Sequence, residues 1–231
     1  MVKKKAKSIL ENFMRDIVFG MEDGLVSNLG IIFALWVAGS SRNTILLAGL
    51  ASLFAGSLSM SVGSYLSSKS QREVYENEIK KTKELIQKRP KFACKELAKT
   101  LKSEGFDQNE IDIMSKHFLE HNEGTFFRNF VQKKLKLSPE RFDNPIKNAF
   151  IMFLSFSIGS IFPIVPFFFS GNFNAILISS LLTISTLFLV GITKSIVSHR
   201  SWIKSGLEMV ILGLGAGIIG YFVGIGFNLL I

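Results

Sequence analysis

The sequence predicts an all-α integral membrane protein: five transmembrane helices, with a cytosolic three-helix region between spans two and three. Three observations predict it. Five apolar runs each match the roughly 20 residues a helix needs to cross hydrocarbon. These runs are apolar on nearly all faces, neither striped like an amphipathic helix nor alternating like a barrel strand. The basic residues fall between the runs, a pattern that orients membrane proteins.

The spans are expected at Ile17–Ala38, Thr44–Ser67, Ile146–Phe169, Phe173–Ile192 and Ser205–Leu230. The run after Arg15 is too long for a signal-peptide core of about 7–15 residues, so it reads as a permanent span. The N-terminus is lysine-rich rather than arginine- and serine-rich, unlike a transit peptide. Between spans two and three, Gln71–Arg89 contains no breaker and should extend the second span until Pro90. A second helix is expected from Lys91 to Ser103, stopped at Gly105, and a third from Asn109 to His121. Gly124 and Pro139 punctuate the rest. The chain thus divides into residues 1–70, with spans one and two, 71–145, a metal-binding-like helical domain, and 146–231, with spans three to five.

The net charge of +9 raises nucleic acid as a partner, but its distribution excludes it. A nucleic-acid domain carries a basic face on a soluble fold. Here residues 71–147 hold seventeen Lys and Arg against thirteen Asp and Glu, and the first fifteen residues hold five basic ones. The short fourth link, Lys194 to Lys204, adds Lys194, Arg200 and Lys204. All three segments share a side if there are five spans, which puts the N-terminus in the cytosol. The single cysteine, Cys94, rules out an intrachain disulfide and a cysteine-built zinc site.

Charged groups within apolar runs mark candidate ion pathways, because a carboxylate in hydrocarbon is costly and faces a cavity or partner. Asp16, Glu22 and Asp23 lie at or inside the first span. Asp16 and Asp23, seven apart, share a helix face. Asp16 beside Arg15 reads equally as an interfacial pair. Glu208, near the start of the fifth span, either lines a pathway or pairs with a lysine such as Lys204. Met60 in the second span offers a soft thioether and Ser64 follows one turn on. Around them Gly49, Ser52, Gly56, Ser59, Gly63 and Ser67 form a small-residue stripe that reads as a packing face. Gly213, Gly217, Gly220 and Gly224 repeat the theme in span five. Pro163 and Pro166 imply either a bent third span or its outer end.

Glu73, Glu76, Glu84 and Gln87 project from one face of the helix that follows span two. Carboxylates so arranged can hold borderline divalent ions, although Glu76–Lys80 and Glu84–Lys88 also form ideal solvent-exposed pairs. His117-Phe118-Leu119-Glu120-His121 spells the H-x-x-E-H of inverted zinc proteases. Five residues in so small a region do not make a hydrolase, and the chain reads as no enzyme.

Several segments together resemble the vacuolar iron transporter family, with its nodulin-like and fungal members. Asp16-Ile-Val-Phe-Gly20 and Asp23-Gly-Leu-Val-Ser-Asn28 are similar to its first-span signature. Leu47-Ala-Gly-Leu50, Ala55-Gly-Ser-Leu-Ser-Met60 and Ser70-Gln-Arg-Glu73 resemble its second span and exit. Ser155-Phe156 with Gly159, Pro163-Ile-Val-Pro166-Phe167, and Ser205-Gly-Leu-Glu-Met209 with Gly213 and Tyr221 resemble spans three and five. The resemblance implies a homodimer of five-span subunits in a lipid bilayer. It would export ferrous iron, or manganese, from the cytosol in exchange for protons, along a pathway at the dimer interface. The metal is cargo, and no cofactor is expected. Asp23 and Met60 would be pathway residues, and Glu73, Glu76 and Glu84 part of a metal-collecting site. The membrane would be the plasma membrane in a prokaryote or a vacuole-like one in a eukaryote.

Three departures stand out. Ser64 replaces a family carboxylate in Gly63-Ser64-Tyr65. Gln87 replaces a fourth glutamate. Lys133-Lys134-Leu135-Lys136-Leu137 places lysines where a glutamate is usual, and these repel cations at close range. They leave open an alternative: a degenerate, non-transporting membrane protein whose basic helices bind a partner or anionic lipid.

Overall fold

A computed structural model describes residues 2–103, 105–121, 144–198 and 200–230. Among these, the elements are all helical: α1 Val2–Val37, α2 Arg42–Lys88, α3 Pro90–Ser103, α4 Gln108–His121, α5 Pro145–Ile164, a 3-10 helix Val165–Phe168, α6 Phe173–Ser198 and α7 Trp202–Leu230. Five are long and apolar enough to cross a membrane, over Phe13–Val37, within α2, and over Pro145–Phe168, Phe173–Ile196 and Trp202–Leu230.

Turn chemistry sets the helix ends. Gly39 takes φ +74, and behind it the Ser40 amide reaches back to the Leu35 carbonyl, closing α1 with a left-handed cap. The Ser41 hydroxyl then accepts from the Thr44 amide and opens α2. The 47 residues of α2 span about 70 Å at 1.5 Å per residue. Pro90 cannot continue that helix but suits the first turn of the next, so α3 starts there. Gly105, at φ +99, follows the end of α3, as expected. Asp107 and Glu110 form a reciprocal capping box that starts α4. Asn144 caps α5 through the Ile146 and Lys147 amides.

One expectation needs correcting. The fourth span does not stop at Ile192. No breaker separates it from Ser198, so α6 runs on and Lys194 sits within a helix rather than in a link. Of the two readings of Pro163 and Pro166, the helix end holds and the bent span does not. Pro163 lies in the last turn of α5, and Pro166 lies in the 3-10 helix that follows. Arg42 donates to the Phe167 carbonyl at 2.7 Å and to that of Phe168, and so satisfies that helix end.

The chain divides into two compact units, residues 1–68 with 144–231, and 69–143. In the first, α1 packs against α5 and α7 at points where side chains are missing. A Cβ on Gly24 would strike the Phe156 carbonyl and Ser160, one on Gly159 the Met21 backbone, and one on Gly220 the Gly30 backbone. Gly213, Gly217, Gly220 and Gly224 are all buried, so the stripe on span five is a packing face. The stripe on span two packs only in part: Gly49 meets Ile164 and Gly56 meets Phe156, whereas nothing lies near Gly63, and Ser59 and Ser67 are exposed. Hydroxyls in the bundle mostly bond the carbonyl one turn back, as Ser157 to Phe153 and Thr186 to Leu182, which removes their cost in hydrocarbon. Outward faces carry exposed Phe54, Phe150, Leu189 and Phe222, among others, as suits acyl chains.

The second unit has a small core of Ala93, Leu97, Leu101 and Ile111, flanked by Leu85, Ile86, Cys94 and Phe106. Gly124, Lys133, Lys134, Leu135, Lys136, Leu137 and Pro139 lie outside the described residues, as do the side chains of His117, Glu120 and His121.

Two outcomes follow from this packing. Gly159→Val should destabilise the detergent-solubilised protein by about 1–3 kcal/mol through overpacking, whereas Gly226→Ala, with nothing within 4 Å of its added methyl, should shift its thermal unfolding by no more than about 0.5 kcal/mol. Burial among the α3 residues pushes the Cys94 thiol above its ordinary range. Raising that value lowers the thiolate fraction at neutral pH, so maleimide should label Cys94 more slowly in the folded chain than in denaturant, the gap narrowing as pH rises.

Candidate functional site

Two adjacent carboxylates, Glu22 and Asp23, face a groove between α1 and α7. The groove holds about 410 Å³, and its other walls are Phe19 and Val26 of α1 and Ile211, Gly215 and Ala216 of α7. A second groove continues it along the same two helices, past Ser27, Gly30 and Ala34 on one side and Gly220 and Val223 on the other. Its floor is low because α7 presents glycine and alanine there, so the α1 carboxylates have room beside them. The two grooves share Val26, Ala216 and Ile219, which makes one furrow leading away from the acidic pair.

Asp16 shares the helix face of Asp23 by spacing but does not line this groove. Its side chain is 5% exposed and is held by Arg15, whose Nη2 lies 3.2 Å from Oδ1. The pair is therefore asymmetric, with the carboxylate buried and the guanidinium largely in the open. Asn28 is fully buried one turn beyond Gly24, and its amide nitrogen donates to the Gly24 carbonyl and to Ser160 Oγ. That bond fixes the rotation of α1 against α5 and so the direction in which Asp23 points.

Glu208 pairs with Lys194, not with Lys204: Lys194 Nζ lies 3.2 Å from Glu208 Oε2, a bridge between α6 and α7. Lys194 and Glu208 also lie within electrostatic reach of Glu22. Glu22 and Asp23 are the carboxylates that line the groove, and the Lys194–Glu208 bridge is not part of its lining. The Lys194–Glu208 bridge is what sequence reasoning missed, because Lys194 was counted as link charge. The signal that could have found it is the unbroken helical run through Ser198.

Met60 and Ser64 are half-buried on α2, and neither lines the groove. Glu73, Glu76 and Glu84 are exposed on α2, each with a basic neighbour: Lys69 at 3.8 Å, Arg72 at 2.7 Å and Lys88 at 3.4 Å. Glu76 thus turns back to Arg72 instead of forward to Lys80. Gln87 is exposed beyond them. Among the described residues, no three His, Cys, Asp or Glu side chains converge closely enough to hold a metal. A single chain brings Glu22 and Asp23 to one groove, but neither Met60 to that groove nor the three α2 glutamates to one another.

The sequence model of the VIT family matches residues 14–225. Among curated proteins, the chain is 27% identical to vacuolar iron transporter 1 of Eucalyptus grandis over 91% of this chain and 84% of that protein. It is 28% identical to vacuolar iron transporter 1 of Oryza sativa subsp. japonica over 90% and 82%. It is also 26% identical to the vacuolar iron transporter of Plasmodium falciparum over 92% and 81%.

Because the α2 ion pairs are exposed, replacing Glu73, Glu76 and Glu84 together by Gln should cost less than about 1–2 kcal/mol in all. A melt of the full-length protein in detergent checks this, and a larger loss would show that these pairs hold the unit together.

Proposed function

The chain belongs to the VIT family, and on that premise we propose that this metal ion transporter exports ferrous iron, or manganese, from the cytosol by proton antiport. The observation that carries the reading is the furrow between α1 and α7 with Glu22 and Asp23 at its acidic end. A carboxylate suits antiport because the same oxygens hold either a divalent ion or a proton, so occupancy by one excludes the other. As a multi-pass membrane protein with a basic N-terminal segment and a basic fourth link, the chain keeps its N-terminus in the cytosol. The membrane is vacuole-like in a eukaryote and the plasma membrane in a prokaryote.

One chain supplies both α1 and α7 walls of the furrow and leaves its open side uncovered. A homodimer closes it with the same surface of a second copy. That arrangement also supports pathway roles for Met60 and Ser64, which lie off the groove of their own chain. Asp16, beside Arg15, has a weaker role at the same end. Glu73, Glu76 and Glu84 collect metal only when two copies contribute. Ferrous iron and manganese both accept carboxylate oxygens, and the Met60 thioether favours the softer iron.

Metal uptake into proteoliposomes with an internal pH dye tests this. Ferrous iron or manganese should drive proton movement in the wild type, and Asp23→Ala should abolish it while keeping the wild-type melting temperature. Normal flux in Asp23→Ala would sink the assignment of that residue. No flux of any metal from a folded dimer would favour instead a chain that binds a partner or anionic lipid, as the serine at position 64 and the lysines at 133 and 134 allow.

A further inference from the structure

We infer that a separate groove of the bundle, floored by α7 and walled by α1 and α6, holds one acyl chain of a bilayer phospholipid as a site-bound lipid. The inference stands apart from the transport reading, because this groove shares no lining residue with the acidic furrow between α1 and α7.

The groove holds about 420 Å³ between Phe33 of α1, Ile184 of α6 and Leu214 and Ile218 of α7, over a floor of Gly213 and Gly217. All of these residues lie within the stretches long and apolar enough to cross a membrane, so the medium that meets the groove is hydrocarbon. It opens on the lipid-facing surface, because Leu214, Ile218 and Phe222 along its α7 edge are exposed. Among the described residues that line it, none is charged. The Ser180 hydroxyl in its wall donates to the Ile176 carbonyl at 2.7 Å and so has no proton left for a guest. From Gly213 to Phe222 the floor advances about 14 Å at 1.5 Å per residue. That is close to half of a hydrocarbon core about 30 Å thick, the depth filled by the chains of one leaflet. The occupant is therefore a single flexible chain from the leaflet at the C-terminal end of α7, with its headgroup end toward Tyr221. Lipid tails are as apolar as these walls, so the chain is held by contact and not by a hydrophobic force. A tail in the groove touches three helices at once, and dispersion grows with the number of atoms in contact. Gly217 supplies the depth. A Cβ there would lie 3.9 Å from Phe33 and 4.0 Å from Leu29, which is ordinary contact, so a longer side chain at 217 competes with the occupant without striking backbone.

The test uses the full-length protein in detergent, with palmitoyl-oleoyl phosphatidylcholine as the probe and native mass spectrometry to count phospholipids retained per chain. The wild type should retain one, and Gly217→Leu should raise the half-saturating phosphatidylcholine concentration roughly tenfold or more. Gly226→Leu, at a site with nothing within 4 Å of an added Cβ, should leave that concentration unchanged. Phosphatidylglycerol with the same chains should bind as well as phosphatidylcholine, since the walls carry no charge. If Gly217→Leu does not keep the wild-type melting temperature, Leu214→Trp is read in its place. A wild-type chain that retains no phosphatidylcholine, or a filled variant that retains as much as the wild type, overturns the inference. A strong preference for phosphatidylglycerol would move the recognition to the headgroup and overturn it as well. Lipid-free wild-type dimers that Gly217→Leu converts to monomers would identify a second copy as the occupant, again against the inference.

Discussion

The close crossing of α1 with α5 is the contact on which the rest of the bundle depends. Hydrocarbon gives helices no hydrophobic reason to associate, so association relies on van der Waals contact and on hydrogen bonds between helices. At Gly24 and Gly159 each helix lies directly on the other's backbone. The Asn28–Ser160 bond then fixes the rotation. Once α1 is set against α5 on one side and against the glycines of α7 on another, little freedom remains for Glu22 and Asp23. They emerge where α7 offers Gly215 and Ala216 instead of bulk, and the groove exists because those two residues are small.

The same economy of side chains explains how polar residues are tolerated. Most serines and threonines in the spans bond to their own helix, so they are neutral passengers in the membrane. The charged groups are different. Arg15 with Asp16 and Lys194 with Glu208 are each paired, and all sit toward the basic ends of their spans. Glu22 and Asp23 lie deeper, beside open space, and this combination of depth and room sets them apart from the other carboxylates.

Much of this was legible in the sequence. Five apolar runs, Pro90 and Gly105 located the elements, because length, ring closure and positive φ are local constraints. Asp23 and Glu22 were legible because charge within an apolar run is costly wherever it occurs. What could not be read was anything that depends on a partner helix. The stripe from Gly49 to Ser67 looks uniform in sequence, yet only its Gly49–Gly56 half meets a neighbour. Glu208 has two lysines to choose from, and the distant one wins because α6 continues past Ile192 and brings it across. Met60 and Asp23 share a membrane in the sequence, but within one chain they do not share a groove.

Arg42 carries a consequence in time. Its guanidinium sits at the end of the bundle away from the basic segments and rests on the carbonyls of Phe167 and Phe168, the first of them 125 residues later in the chain. At about 5–20 residues per second of synthesis, roughly 6–25 s separate the making of the arginine from the making of its acceptors. For that interval the hairpin of α1 and α2 must hold a bare cation at its tip without help. The bond to Phe167 closes late, and it records that the second half of the chain has arrived and docked in register.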